Sequence, residues 1–341
     1  MCTSIVVGER ATADSSFLIA RSADSSSLKA QHFLVHDAFV KEGGWTYSCK
    51  AHQGLNDFTW PMPEKNLRFT TVCNWKTQLH GAVGFNEAGV GISGTESIFA
   101  RDDLLAIDPY NEATGFTEDD LLDVILPRAK TAREGVAILG NIVETIGAGE
   151  GFGVVFVDEK EIWYFETATG HHWMAHRTPK DSYFASGNQG RLQAYVPGDA
   201  NYMGSKGLIE FAVKHGRYDA AKDGDFNFSK AFCRDDDRDR DYNDPRVWQI
   251  QKLLNPSLEQ NVADGRKFPV YLKPEKKLTV EDMKTVLRNH YDGTAHDPYS
   301  PKLNGSEPWR PISVFRTYES HVMHVRPWMP KAVGEVTYVG F

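Results

Sequence analysis

Met1-Cys2-Thr3-Ser4-Ile5-Val6-Val7 opens the chain, and a polar stretch from Gly8 to Ser16 separates it from Phe17-Leu18-Ile19-Ala20-Arg21 and Asp24. Two apolar, β-rich runs joined by a turn-prone segment predict a hairpin. Such a hairpin would hold Cys2 on a rigid sheet and bring Arg21 back towards it. A small second residue lets an aminopeptidase remove Met1, which would leave a thiol and a free α-amine on Cys2. The thiolate is the species that attacks a carbonyl, and an unhindered α-amine titrates near pH ~7.7–8.0. It can therefore take the thiol proton and later hand it to a leaving group, directly or through water. The same residues also read as an ordinary buried thiol, since free cysteine is often buried.

The composition of the whole 341-residue chain bounds the class. Hydrophobic residues make up 41% and charged residues 25%, which is globular usage. The net charge of -8 argues against a general nucleic-acid binder, which usually shows a basic face. Cys2, Cys49, Cys73 and Cys233 are scattered without CxxC pairing, so neither a disulfide framework nor a zinc site is expected. The start lacks a basic segment followed by an apolar core, and there is no apolar run of ~18 residues, so no signal peptide or membrane partner is expected. Cytoplasmic residence is the default, and it suits a nucleophile that must remain a free thiol. No internal repeat or low-complexity linker divides the chain, which favours one domain over 1–341.

Further strands are expected at His32–Val35 and Phe69–Trp75, with an irregular region from Tyr47 to Trp60 and a Ser-rich loop from Ser22 to Ser27. Asn86-Glu87-Ala88-Gly89 between apolar runs signals a hairpin turn. Asn86 is then either a turn residue bonding its own backbone or an amide donor facing a substrate. The glycines from 81 to 94 match neither a Walker nor a Rossmann pattern. Thr117 and Thr131 are placed to cap helices, the second followed by Val136, Leu139, Ile142, Val143 and Ile146 at helical spacing. Gly153–Val157 and Ile162–Thr167 form the clearest hairpin, with Gly170–Ala175 as a third strand. His171 and His172 would then face opposite ways, which disfavours a shared metal. Ser186–Arg191 is a tight polar segment that either presents the Asn188 amide or is simply loop. Helices are expected over Leu208–Lys214 and, after Thr279, Val280–Tyr291. A solvated loop is expected over Arg234–Asp244. Strands are expected at Ile312–Thr317, His321–Val325 and Val336–Phe341.

The ordered set Cys2-Thr3-Ser4-Ile5-Val6-Val7-Gly8, Ala20-Arg21 through Asp24, Gly84–Gly89, Thr95-Glu96, Gly170-His171-His172-Trp173, Asn188-Gln189-Gly190-Arg191, Asn243-Asp244-Pro245-Arg246, Arg310–Ser313 and Arg316-Thr317 resembles the dipeptidase A family of N-terminal-nucleophile cysteine peptidases. That resemblance implies an α+β fold, a four-layer αββα sandwich of two mainly antiparallel sheets. It implies hydrolysis of dipeptides with a free N-terminus and a homo-oligomer, with no metal or organic cofactor. It makes Cys2 the nucleophile with its own amine as base, Arg21 the neighbour of the thiolate, Asp24 the acceptor from the α-ammonium group, and Asn86 and Asn188 the oxyanion donors. Glu96, His171 and Arg191 become candidates for binding the substrate termini. Family members usually extend beyond this C-terminus, so the last strands are expected to be missing. Related bile salt hydrolases and penicillin V acylases leave an acylase reading open, and the secernin-like relatives leave open a catalytically silent interaction protein.

Overall fold

The Cys2–Val7 and Phe17–Asp24 strands pair antiparallel, with Cys2 opposite Ala23, Ser4 opposite Arg21 and Val7 opposite Leu18. Because side chains alternate along a strand, Ile5, Val7, Leu18 and Ala20 face one side of the sheet. Cys2 and Arg21, diagonal neighbours in this register, face the other. The structure is a computed structural model that describes residues 1–52, 54–300 and 307–340. The chain divides into two units, one from Met1–Lys29, Thr178–Arg191 and Asp235–Phe341, the other from Ala30–Arg177 and Leu192–Arg234.

In the first unit, six antiparallel strands run in the order Tyr271–Leu272, Tyr183–Ser186, Cys2–Val7, Phe17–Asp24, Thr317–Val325 and Glu335–Gly340. The helices Asp244–Leu254 and Val280–Arg288 cover the Ile5 and Val7 face. Ile250, Leu254, Met283, Val286 and Leu287 pack there with Leu18, Ala20, Tyr183 and Val322. Thr279 starts the second helix with a capping box, accepting from Asp282 N while the Asp282 carboxylate accepts from Thr279 N, so both backbone donors are satisfied.

In the second unit, eight antiparallel strands follow the order Tyr202–Gly204, Trp173–Arg177, Ile162–Thr167, Phe152–Val157, Gly91–Ser97, Val83–Phe85, Phe69–Asn74 and Gln31–His36. The Asn86 turn takes Gly89 to a φ of +85°, a conformation that glycine adopts freely. Thr131 caps the Ala132–Ile146 helix by accepting from Glu134 N. The inward stripe of that helix, including Val136, Leu139 and Val143, packs with Phe156, Phe165 and Trp173. A second capping box, between Thr117 and Asp120, starts the segment leading into Leu121–Ile125. Its carboxylate is fully buried, and that burial pushes Asp120 up to about 6.

The expected α+β class, two mainly antiparallel sheets with helices, is the class the chain adopts. Several local expectations are corrected. Tyr47–Trp60 is not wholly irregular, because Trp45–Ser48 pairs with Thr59–Met62; Pro61 within that strand masks it, as proline cannot donate to a ladder. Ser22, Ala23 and Asp24 belong to a strand rather than a loop. His171 and His172 precede the strand Trp173–Arg177. Arg238–Tyr242 is a short helix where a solvated loop was expected. Its Asp239 is buried, accepting from Asn243 Nδ2 and Arg266 Nη2. Residues from Ile312 to Arg316 are not a strand, and pairing begins at Thr317. Phe341, the last residue of the expected final strand, lies outside the described residues.

Candidate active site

Cys2 is 5% exposed, yet its sulfur does not lie in plain hydrocarbon, since Arg21 Nη2 donates to Sγ at 2.9 Å. A guanidinium donor compensates negative charge on its acceptor, so this sulfur has a partner suited to a charged nucleophile. Two other thiols lack that environment. Burial pushes Cys49 up to about 12 and Cys73 up to about 11, which keeps both protonated at neutral pH.

Below Cys2, the Asp244–Leu254 helix delivers a residue that sequence reasoning did not single out. Pro245 sits in its first turn, where a missing N–H costs nothing, and Arg246 follows on the buried face. Its Nη1 donates to Cys2 O at 2.7 Å and Thr3 Oγ1 at 2.8 Å, and its Nη2 to Asn188 Oδ1 at 3.0 Å and Asn243 Oδ1 at 2.5 Å. Burial, followed by the charge of Arg310, pushes this guanidinium down to about 9. The only sequence signal was its place in the Asn243-Asp244-Pro245-Arg246 motif, one residue before the buried Val247.

Asn188 follows the Tyr183–Ser186 strand and is fully buried. Its N–H donates to Asn243 Oδ1 at 2.8 Å, and its carbonyl accepts from Asn243 Nδ2 at 3.1 Å. With Oδ1 turned to Arg246, Nδ2 is left buried without a hydrogen-bond partner among the described residues. An unsatisfied buried amide donor is costly, and a site built for an oxyanion is one reason to retain it. Gly187 makes room for this arrangement, because a Cβ there would lie 2.9 Å from Arg246 Nη2 and 3.0 Å from Asn243 Oδ1.

Asp24 is fully buried at the end of its strand. Its Oδ2 pairs with Arg310 Nη2, and its Oδ1 accepts from Thr317 Oγ1 at 2.6 Å. Burial alone would push Arg310 down, but Asp24 outweighs it and the guanidinium is shifted up. With Met1 in place, the nitrogen of Cys2 is an amide. The ammonium group of Met1 donates to the backbone carbonyl of Asp24 rather than to its carboxylate.

Cys2, Arg21, Asp24, Asn188 and Arg191 thus lie in the first unit, while Asn86, Glu96 and His171 lie in the second. Asn86 is corrected as an oxyanion donor: its Nδ2 donates to Leu126 O at 2.8 Å and Ala129 O at 2.7 Å, and its Oδ1 accepts from Ala88 N and Val90 N. Both amide hydrogens are occupied, which is the turn-residue reading. Arg191 is likewise corrected as a contact for a substrate terminus. It is buried and donates to the carbonyls of Ala185, Phe268 and Pro269, tying chain segments together. Glu96 is fully buried and accepts from Tyr164 Oη at 3.0 Å. His171 Nδ1 faces Asp108 Oδ1 at 2.6 Å. Among the described residues, no group of three or more His, Cys, Asp or Glu side chains could hold a metal ion. No helix among them is long and apolar enough to cross a membrane.

A family model described as Peptidase family C69 matches residues 1–341. A probable dipeptidase of Salmonella dublin is 51% identical over 344 residues, spanning 100% of this chain and 78% of that protein. A probable dipeptidase of Latilactobacillus sakei is 38% identical over 348 residues, spanning 100% and 71%. A dipeptidase of Bifidobacterium longum is 35% identical over 374 residues, spanning 100% and 68%.

Proposed function

The chain belongs to peptidase family C69 and hydrolyses the peptide bond of dipeptides, and we propose that Cys2 is its nucleophile once Met1 has been removed. The observation that carries this reading is the meeting of two features in one unit: a sulfur hydrogen-bonded to Arg21, and a fixed Asn188 amide whose Nδ2 has no hydrogen-bond partner among the described residues.

The α-amine of Cys2 takes the thiol proton, and the thiolate attacks the substrate carbonyl, forming the S–C bond. The carbonyl oxygen becomes an oxyanion and accepts from Asn188 Nδ2. As the C–N bond breaks, the amine's proton passes to the leaving nitrogen, releasing the C-terminal amino acid and leaving a thioester. Water, deprotonated by the same amine, attacks the thioester and restores the thiol. Arg21 orients the sulfur, Arg246 holds the backbone of Cys2 and the Asn188 amide, and Arg310 with Thr317 fixes Asp24. In the mature chain Asp24 is proposed to accept from the α-ammonium group and orient it. No metal or organic cofactor has a role in this sequence of steps.

The enzyme is proposed to work in a reducing cytoplasm as a homo-oligomer. Four free cysteines support the first part, and the family resemblance supports the second. The interleaving of the two units along the chain supports treating them as one Ntn-hydrolase domain. The test is turnover of free dipeptides against N-acylated amino acids by the mature protein. Faster cleavage of the free dipeptides supports the reading, and exclusive cleavage of the N-acylated amino acids overturns it in favour of an acylase.

A further inference from the structure

Met1 lies where several groups of the first unit converge. Its ammonium group donates to Asp24 O, its carbonyl accepts from Arg310 Nη2 at 3.4 Å, and Tyr242 Oη donates to its Sδ at 2.9 Å. Tyr242 is fixed in turn by Arg316, whose Nη2 donates to Oη at 2.8 Å. The guanidinium carbons of Arg246 and Arg310 lie 5.2 and 5.6 Å from the same phenol ring centroid.

The charges in this cluster are unevenly matched. Arg310 is balanced by Asp24, whereas among the described residues Arg246 is bonded to neutral groups alone. Arg316 makes no ion pair among the described residues, and its side-chain contact is the phenol oxygen. A half-buried guanidinium and a hydroxyl, both donors, suit a carboxylate and repel an ammonium group.

Distance selects which carboxylate. In a dipeptide, the terminal carboxylate carbon is three bonds from the scissile carbonyl carbon, within about 4 Å. Its binding site must therefore lie about one residue's reach from the nucleophile. Arg246 ties the two places together, since it donates to Cys2 O at 2.7 Å and its guanidinium carbon lies 5.2 Å from the Tyr242 ring centroid, while the Met1 thioether covers Tyr242 Oη.

We propose that Arg316 and Tyr242 form the subsite for the free C-terminal carboxylate of the dipeptide, and that removal of Met1 uncovers it. The inference rests on the dipeptidase reading and deepens it by naming specificity residues. A single excision then produces both the base and an open carboxylate subsite.

The test uses mature protein, with loss of Met1 confirmed by intact mass, and a dipeptide paired with its C-terminal carboxamide. Wild-type kcat/KM is expected to favour the free acid by at least ~10-fold, the scale of a charge-assisted contact. Arg316→Gln should bring that ratio close to one, and Arg316→Lys should restore part of it. Equal use of acid and amide by the wild type, or an unchanged ratio in Arg316→Gln, overturns the subsite. If Arg316→Gln melts early, Tyr242→Phe keeps the packed ring and removes the hydroxyl, and it should lower the same ratio. Calorimetric titration of Cys2→Ala protein with the same pair reads the subsite without turnover. An acid preference that depends on Arg316 in a protein without turnover counts against the hydrolytic reading alone. Loss of that preference in otherwise active protein counts against the subsite alone.

Discussion

Arg246 Nη2 lies 3.0 Å from Asn188 Oδ1, and this contact decides which way the Asn188 amide faces. A guanidinium has donors and no acceptor, so the atom turned towards it is the amide oxygen. The amide nitrogen is thereby aimed elsewhere, buried and without a partner among the described residues.

Asn188→Ala removes that donor. We expect kcat to fall ~10²–10³-fold with a smaller change in KM, the behaviour of a group that acts on the oxyanion rather than on the bound substrate. Steady-state kinetics on one dipeptide measures it. A change confined to KM would assign Asn188 to substrate binding instead.

Arg246→Met leaves Cys2 O, Thr3 Oγ1 and Asn188 Oδ1 without their donor. Each buried neutral acceptor left unsatisfied costs about 1–3 kcal/mol, so denaturant titration should show a loss of stability. Activity should fall with it, because the Asn188 amide is no longer held to one orientation.

Gly187→Ala tests the same contact by crowding. The new Cβ would lie 2.9 Å from Arg246 Nη2, so the guanidinium has to shift inside a packed site, at a cost of roughly 1–3 kcal/mol. The melting midpoint should drop, and kcat should fall more than KM rises.

A pH effect is expected in the second unit. Burial raises Asp120 to about 6, above its unfolded value, so its stabilising contribution is complete below that unfolded value and is lost as pH rises through 6. Two pH units of displacement correspond to about 3 kcal/mol at most. Melting midpoints across this window should fall for the wild type. Asp120→Asn, which keeps an acceptor for Thr117, should make the fall shallower, the remainder coming from Asp123 and Glu150, which burial also raises, each to about 7.

The opening hairpin was readable because its alternation and turn residues act locally, and it brought Cys2 and Arg21 together without further information. The capped helices at Thr131 and Thr279 were readable for the same reason, as side chain and backbone satisfy each other within four residues. Arg246, Arg310 and Tyr242 were not assigned to the site, because the partners that bring them there, Asn188 for Arg246 and Met1 for the other two, are 58, 309 and 241 residues away in sequence. Asn86 shows the converse. Its turn was legible, but the two carbonyls that occupy its amide come from a segment 40 and 43 residues downstream. Arg191 was misplaced for a similar reason, since a tight polar segment does not reveal that its guanidinium donates to the carbonyls of Phe268 and Pro269.

The sulfur of Cys2, freed from Met1, is the centre of the account. Its most direct test is rapid-quench mass spectrometry of the mature protein during dipeptide turnover, with Cys2→Ala run in parallel. A transient thioester of the substrate's N-terminal residue on the Cys2 peptide is expected, with no hydrolysis by Cys2→Ala. Undiminished hydrolysis by Cys2→Ala, with no adduct on the wild type, would contradict it.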